Sequence, residues 1–431
     1  MAPTMSKFRS GVSSLKCRLR SSYSQVPLLG WLFGALMAVI LEQLVGAPLA
    51  LALGLPKIPA LLGCLVVLRR PILIPSVIFY VLLIYVLPIG VIARLTISQA
   101  NKVAGRLFDL PIVVSVIIHL GLLYAVLHVW SGISDYRVLT LKLTLIAIMV
   151  TLSLNVINGY MGDFSCSHPG FMALGAYSAS AFTVIFFVDD SMFGSALLPS
   201  ALGPFMFPLS LIMGGLVAAV GALVVAIPSL RTRGDYLAII SLAFMFIVKS
   251  LIENLEVVGG PRGLSSQPDY ADLPTVFLWT VACVWIINNF VRSTLGKALN
   301  AVRDDEMAAE AMTVNTRRTK IVAFLFAAFW AGVAGGLFAH VLRYVNPSTF
   351  GIQKLAEVLA MVYFGGLNSV YGSIVGAVSL SLLGEALRPL EIFKWIIIPL
   401  MLILVMIFRP TGLIAFKEFN VTNLIKPKQK M

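Results

Sequence analysis

The residues best suited to chemistry in this sequence are charged, and they concentrate in one stretch, residues 292–320. Hydrophobic runs too rich for water-soluble loops flank this stretch on both sides. Its charged members are Arg292, Lys297, Arg303, Arg317, Arg318 and Lys320, with Asp304, Asp305, Glu306 and Glu310. Because so many charges are costly inside a bilayer, we interpret the stretch as a cytoplasmic loop between two membrane spans.

The interior of this loop has a helical pattern. Five residues fall near one helical stripe: Ala301, Met307, Ala308, Ala311 and Met312. Acids lie toward the start and two arginines follow the end, as the helix dipole favours. The pattern predicts a short amphipathic helix against which a partner protein could push, although an ordinary solvated connector fits the periodicity equally well.

Three acids lie in or near apolar runs, namely Glu42, Glu357 and Glu385. An ionisable group at membrane depth is costly and is therefore a functional candidate. The three could form a proton relay, or each could make hydrogen bonds between helices. No cationic partner is evident from the sequence around them, which favours the second interpretation.

The motifs of soluble catalytic chemistry are absent from the sequence. No GxxxxGK[ST] phosphate loop, HExxH pair or GxSxG elbow occurs, and the four cysteines and four histidines are scattered. We therefore predict no catalytic residue, no metal site and no cofactor site. If ATP drives this protein, a separate chain must hydrolyse it.

The composition requires a membrane. Hydrophobic residues make up 59% of the 431, charged residues only 12%, and the mean hydropathy is +0.95. Apolar runs near twenty residues long favour helices over a β-barrel. The predicted fold is an all-α polytopic membrane protein of about 10–12 transmembrane helices, some re-entrant or broken.

Twelve candidate spans position the charged loop. The segments 168–188 and 353–367 are the weakest, since one starts at a His-Pro-Gly sequence and the other is short. The spans are 31–53, 71–93, 110–130, 138–157, 168–188, 209–230, 236–256, 274–291, 320–342, 353–367, 370–387 and 394–408. Residues 54–70 are either an external interfacial segment or half of another span.

The distribution of basic residues predicts the orientation. With both termini in the cytoplasm, most of the 32 Lys and Arg residues fall on the inner side. The net charge of +13 is thus attributed to orientation rather than to nucleic-acid binding. The predicted division is a basic cytoplasmic tail (1–27), peripheral spans (28–135), a core (136–410) containing the loop 292–320, and a basic cytoplasmic tail (411–431). An organelle transit peptide is the alternative for residues 1–25.

Two glycine-rich breaks interrupt the core spans. Residues 158–179 place glycines and polar residues at membrane depth before a new helix, whose free N-terminal amides could bind a carboxylate. A packed helix junction without a ligand is the alternative. In residues 357–377 a Gly-Gly pair ends one apolar piece. The candidates for a translocation pathway at these breaks are Ser165, His168, Gly170, Gly175, Glu357, Gly365 and Gly366.

Taken together, these stretches resemble the LivM-type membrane permeases of branched-chain amino acid ABC transporters, over residues 140–410. Four segments occur in that family's order: 159–177, 230–239 with 259–263, 295–315, and 357–377. The sequence departs from the family pattern at Thr313, where a glycine is expected. It departs again at Cys166 and Ser167, where a glycine is usual between Ser and His.

The resemblance implies the partners and the role of the loop. In such transporters a similar loop docks into a cleft of the ATPase subunit, which here would place Arg303, Asp304, Asp305, Glu306, Ala308, Ala309 and Glu310 on the docking surface. The implied complex lies in the bilayer of a bacterial inner membrane. It contains a second homologous permease, two ATPase subunits and an extracytoplasmic binding protein, and binds no nucleic acid.

The implied activity is uptake of leucine, isoleucine or valine by alternating access, without enzymatic activity in this chain. Related permeases serve urea, short amides or other amino acids, and those substrates stay open. The alternative from another class is an ion-coupled secondary transporter in which Glu42, Glu357 or Glu385 carries the proton. A membrane enzyme is disfavoured because no nucleophile or metal constellation is present.

Overall fold

A computed structural model describes residues 23, 25–55, 58–59, 71–189, 193–229, 235–409 and 411–427. Within these ranges the regular structure is almost wholly helical. Two short strands, β1 Leu264–Ser265 and β2 Tyr344–Val345, pair antiparallel. The predicted all-α membrane fold is confirmed. The predictions for the basic tail before residue 23 and for most of residues 54–70 lie outside the described residues.

Nine helices of the described part are long and apolar enough to cross a membrane. In chain order, the α-helices of the described part are α1 Leu28–Ala52, α2 Ile74–Leu95, α3 Ile97–Phe108, α4 Ile112–Ser131, α5 Asp135–Met161, α6 His168–Phe187, α7 Gly203–Ser229, α8 Asp235–Asn254, α9 Leu273–Arg292, α10 Thr294–Asp304, α11 Glu306–Ala311, α12 Thr316–Leu342, α13 Ile352–Gly365, α14 Val370–Ala386, α15 Lys394–Phe408 and α16 Val421–Ile425. The nine membrane-crossing candidates among them are α1, α2, α4–α9 and α12.

The three apolar helices α13, α14 and α15 are shorter, with 14, 17 and 15 residues. At 1.5 Å per residue the shortest is about 21 Å long, less than a typical hydrocarbon core. Together with the nine longer helices they match the twelve predicted spans. The break at Gly365 and Gly366 is where the sequence predicts it.

The chain divides into two compact units. The first comprises Met1–Val138 and Asn420–Met431. Its centre is a buried ion pair in which Arg137 Nη2 lies 2.8 Å from Glu42 Oε1 and Arg137 Nη1 lies 3.0 Å from Glu42 Oε2. The hydroxyls of Tyr80 and Tyr85 also donate to Glu42. A bidentate pair with these donors satisfies a carboxylate that would be costly in isolation.

The second unit comprises Leu139–Phe419, and α6, α7 and α12 form its tightest packing. Glycines allow this approach. A Cβ at Gly175 of α6 would overlap the backbone of Gly332 in α12, and a Cβ at Gly214 of α7 would meet the Gly175 carbonyl at 2.8 Å. Small residues at such crossings let helix backbones pack in contact, so these glycines fix the bundle around which the other helices are arranged.

The second unit has two chemically different ends. At the strand end, β1 follows α8 and pairs with β2, which follows α12. At the loop end lie the end of α5, the helices α10 and α11, and the turn between α13 and α14. Asn155 of α5 connects two of these segments, because its Nδ2 donates to Ser369 O and its Oδ1 accepts from Asn368 N.

Candidate functional site

The charged loop folds into two short helices rather than one. Asp305 separates α10 from α11 with φ −160° and ψ 110°, and its carboxylate accepts hydrogen bonds from the amides of Met307 (2.9 Å) and Ala308 (3.0 Å). Ser293 caps α10 and Asn315 caps α12 in the same manner. Side-chain caps at three successive helix starts fix the path of the loop without burying it.

The apolar stripe predicted along this loop does not form the buried face. Met307 and Met312 are more than 70% exposed, whereas Leu299, Val302 and Ala309 are buried. The single-helix pattern was wrong because the break at Asp305 changes the phase of the residues that follow it. The result is an exposed surface that mixes acids with methionines and alanines.

The seven predicted docking residues divide into two groups. Four are exposed on the loop: Asp304, Asp305, Ala308 and Glu310. The other three face the rest of the second unit at least in part: Arg303, Glu306 and Ala309. The exposed group is acidic, so a partner seated on it would carry complementary basic or donor groups.

Two of the inward side chains attach the loop to the transmembrane helices. Arg303 Nη1 donates to Gly159 O at 3.5 Å, and the guanidinium lies 5.5 Å from the ring centroid of Phe416. Glu306 Oε1 lies 2.9 Å from Nζ of the buried Lys320, the fifth residue of α12. The loop therefore contacts both the end of α5 and the start of α12.

Beside this attachment lies a buried polar junction, which we define as Asn158, Ser165, Ser167, His168 and Ser241. Asn158 Oδ1 accepts from Ser165 N at 3.2 Å, and the hydroxyls of Ser165 and Ser167 lie 2.8 Å apart. His168, the first residue of α6, is fully buried. The Ser153 carbonyl lies near its ring, but neither ring nitrogen meets hydrogen-bond geometry with a partner.

Some polar atoms of the junction do not meet standard hydrogen-bond geometry with any partner. The amide nitrogen of Asn158 lies near the Tyr363 hydroxyl but outside standard hydrogen-bond geometry, and α6 begins without a side-chain cap. Cys166 donates its backbone N–H to Ser241 Oγ at 2.8 Å, and burial raises the pKa of its thiol. Buried polar atoms without partners are rare in folded proteins, so these atoms mark the junction as a candidate site, with a packed helix junction as the alternative.

The remaining pathway candidates lie in other places. Gly170 packs beside Phe244 and Met245 of α8, and Gly175 lies at the α6–α12 crossing. Glu357 Oε2 lies 3.0 Å from Lys354 Nζ near the start of α13. At the opposite end of α13, Gly365 contacts the backbone of Gly372 and Gly376, and Gly366, with φ 131°, lies against Ile414. Of the seven pathway candidates, Ser165 and His168 thus lie in the polar junction, Gly365 and Gly366 lie together at the turn after α13, and the other three lie elsewhere.

The structure also supplies the partners that the sequence did not reveal for the three membrane acids. Glu42 pairs with Arg137, Glu357 with Lys354, and Glu385 Oε2 lies 3.6 Å from Arg388 Nη1. Lys354 and Arg388 each lie three positions from their acids, so the prediction that no cationic partner is near was wrong for Glu357 and Glu385, whereas Arg137 is 95 residues from Glu42. The buried pair with Arg137, which joins two distant segments, supports a structural role for Glu42.

The fold and the site define a class: a multi-span helical membrane protein with a capped, charged loop attached to a polar break between its spans. Residues 136–408 match the family described as branched-chain amino acid transport system / permease component, and the chain belongs to that family. This result confirms the resemblance drawn from the four sequence segments.

Individual relatives agree with this assignment. The chain is 33% identical over 308 residues to the high-affinity branched-chain amino acid transport system permease protein LivM of Escherichia coli, an alignment that covers 63% of this chain and 68% of the relative. It is 29% identical over 150 residues to BraD, a permease protein of the same description from Pseudomonas aeruginosa, covering 33% and 47%. No solved structure matches the chain.

Proposed function

We propose that this chain is one permease subunit of an ATP-driven importer of leucine, isoleucine and valine, in a bacterial inner membrane with both termini in the cytoplasm. The substrate follows the relatives LivM and BraD, both named as branched-chain amino acid transport system permease proteins. A second homologous permease, two ATPase subunits and an extracytoplasmic binding protein complete the proposed complex. ATP is hydrolysed by the ATPase subunits, so this chain itself is not an enzyme and needs no cofactor.

One observation carries the proposal: the exposed acidic loop is physically attached to the polar break in the spans. An ATPase seated on Asp304, Asp305, Ala308 and Glu310 moves Arg303 and Glu306 with the loop. These two side chains contact Gly159 at the end of α5 and Lys320 near the start of α12. Closure of the ATPases upon ATP binding thereby changes the position of the helices that flank the polar junction, as alternating access requires.

The experiment is transport by the reconstituted complex. The chain is expressed with its genomic neighbours, purified in mild detergent and placed in proteoliposomes, with the binding protein outside and ATP inside. We expect uptake of radiolabelled leucine that requires ATP and survives a protonophore. Uptake without ATP that a protonophore abolishes would instead identify an ion-coupled transporter. Competition by unlabelled isoleucine, valine and urea then defines the substrate range.

A further inference from the structure

A cavity of about 370 Å³ lies within the second unit among α5, α13, α14 and α15. Its charged lining residues are Lys354 and Glu357 at the start of α13 and Glu385 at the end of α14. Because α14 begins at the loop end and α13 finishes there, these charges lie toward the strand end. Most of the other lining residues are aliphatic.

The lining fits a zwitterion with an aliphatic side chain. Lys354 Nζ and Glu357 Oε2 are 3.0 Å apart, so an ammonium and a carboxylate stand side by side at one part of the wall. An α-amino acid also carries an ammonium and a carboxylate close together. Its carboxylate can therefore face the Lys354 ammonium while its ammonium faces the Glu357 carboxylate. Val150, Leu359 and Leu380 supply apolar wall. A few charged groups on a mostly apolar cavity are typical of a small-molecule site.

The loop side of the cavity is closed by buried side chains. Val150, Met172 and Met361 are each at most 1% exposed and line the cavity. Met172 follows His168 of the polar junction by four residues on α6, which is about one helical turn. The cavity thus reaches to about one helical turn from the polar junction, and Met172 and Met361 are flexible side chains that repack readily.

We propose that this cavity binds a free zwitterionic aliphatic amino acid on its way from the strand end to the polar junction. The carboxylate contacts Lys354 and the ammonium contacts Glu357. The aliphatic side chain lies against Val150, Leu359 and Leu380. The inference rests on the proposed function and deepens it, since it places the substrate at defined residues of this chain.

Gly384 provides a direct test because it lines the cavity and a Cβ built there meets no atom within 4 Å. Gly384→Leu places an apolar side chain on the cavity wall at a position where the Cβ has open space. Gly121→Leu is the matched control, since Gly121 also lies in an apolar helix with open space around its Cβ but lies outside the cavity lining. We expect Gly384→Leu to lower leucine uptake by the reconstituted complex at least tenfold and Gly121→Leu to leave it unchanged.

The charged pair has its own control. Lys354→Gln and Glu357→Gln should each raise the KM for leucine about tenfold, the loss expected when a charged hydrogen-bond partner is removed. Lys249 and Glu253 form a comparable pair, 3.7 Å apart on α8, that lies outside the cavity lining. Lys249→Gln and Glu253→Gln should leave the KM unchanged.

The outcomes separate this inference from the proposed function. If the wild-type complex transports leucine and Gly384→Leu transports it equally well, the cavity is not on the substrate path, while the importer proposal stands. Release of the second permease from the purified Gly384→Leu complex would overturn the inference too, because the cavity would then be a subunit contact. Absence of ATP-dependent leucine uptake by the wild-type complex would instead refute the proposed function.

Discussion

Gly162 lies where one added methyl group would disturb the attachment between the charged loop and the spans. It follows α5 with φ +82°, and a Cβ there would overlap the side-chain stem of Arg303. Gly162→Ala thus has two costs. The left-handed backbone disfavours alanine by about 1–2 kcal/mol. In addition, Arg303 must leave Gly159 O and the Phe416 ring, whose contacts together contribute about 1–2 kcal/mol.

Gly194 separates these two costs. It has φ +86°, but a Cβ there meets no atom within 4 Å, so Gly194→Ala carries only the backbone term. The difference between the two variants isolates the displacement of Arg303. A loss of about 1–2 kcal/mol corresponds to a roughly 5–30-fold change in the equilibrium between the attached and the displaced positions of the Arg303 side chain.

The assay is the ratio of leucine molecules transported to ATP molecules hydrolysed in proteoliposomes, with thermal unfolding in detergent as the stability measurement. We expect Gly162→Ala to lower the transport ratio several-fold and Gly194→Ala to leave it unchanged. Adding Arg303→Ala to Gly162→Ala removes the overlapping stem and should recover part of the loss. Equal behaviour of Gly162→Ala and Gly194→Ala would refute the coupling role of Arg303.

Three further predictions concern packing and backbone. Gly175→Ala should prevent stable assembly in detergent, because the added methyl overlaps the Gly332 backbone; a monodisperse, heat-stable variant would contradict this packing. Glu42→Gln leaves buried Arg137 without its carboxylate and should cost about 3–5 kcal/mol, measured as a lower unfolding temperature that Arg137→Met partly restores. Thr313→Gly should stabilise the loop by about 1 kcal/mol, since Thr313 has φ +66°; slower hydrogen exchange in residues 306–315 is the expected readout.

Apolar periodicity and spacing predicted the architecture well wherever the membrane requires a particular run of residues in the sequence. A bilayer demands long apolar helices, so the spans and the charged loop between them were readable. The glycines at 365 and 366 marked a true helix break. The glycine expected at Thr313 also has a physical basis, because the structure places a left-handed residue there.

The sequence could not supply contacts between distant segments. Arg137 reaches Glu42 across 95 positions, and Asn155 reaches Ser369 across 214. The prediction of a single helix in the loop was wrong for a local reason. An aspartate inside a helical pattern can be either an exposed helical residue or an N-cap, and Asp305 is an N-cap. The seven pathway candidates came from local breaks alone, so nothing indicated that they would lie in separate places.

The central claim is that the exposed face of α10 and α11 is the ATPase-docking surface. The most direct test is affinity purification of the tagged chain co-expressed with its genomic neighbours, with mass spectrometry of the proteins recovered. Asp304→Lys with Glu310→Lys reverses two exposed acids on that face. Asp109→Lys reverses an exposed acid elsewhere and is the control. We predict that an ATPase is recovered with the wild type and with Asp109→Lys but is lost with the double variant. Undiminished recovery of the ATPase with the double variant would contradict the claim.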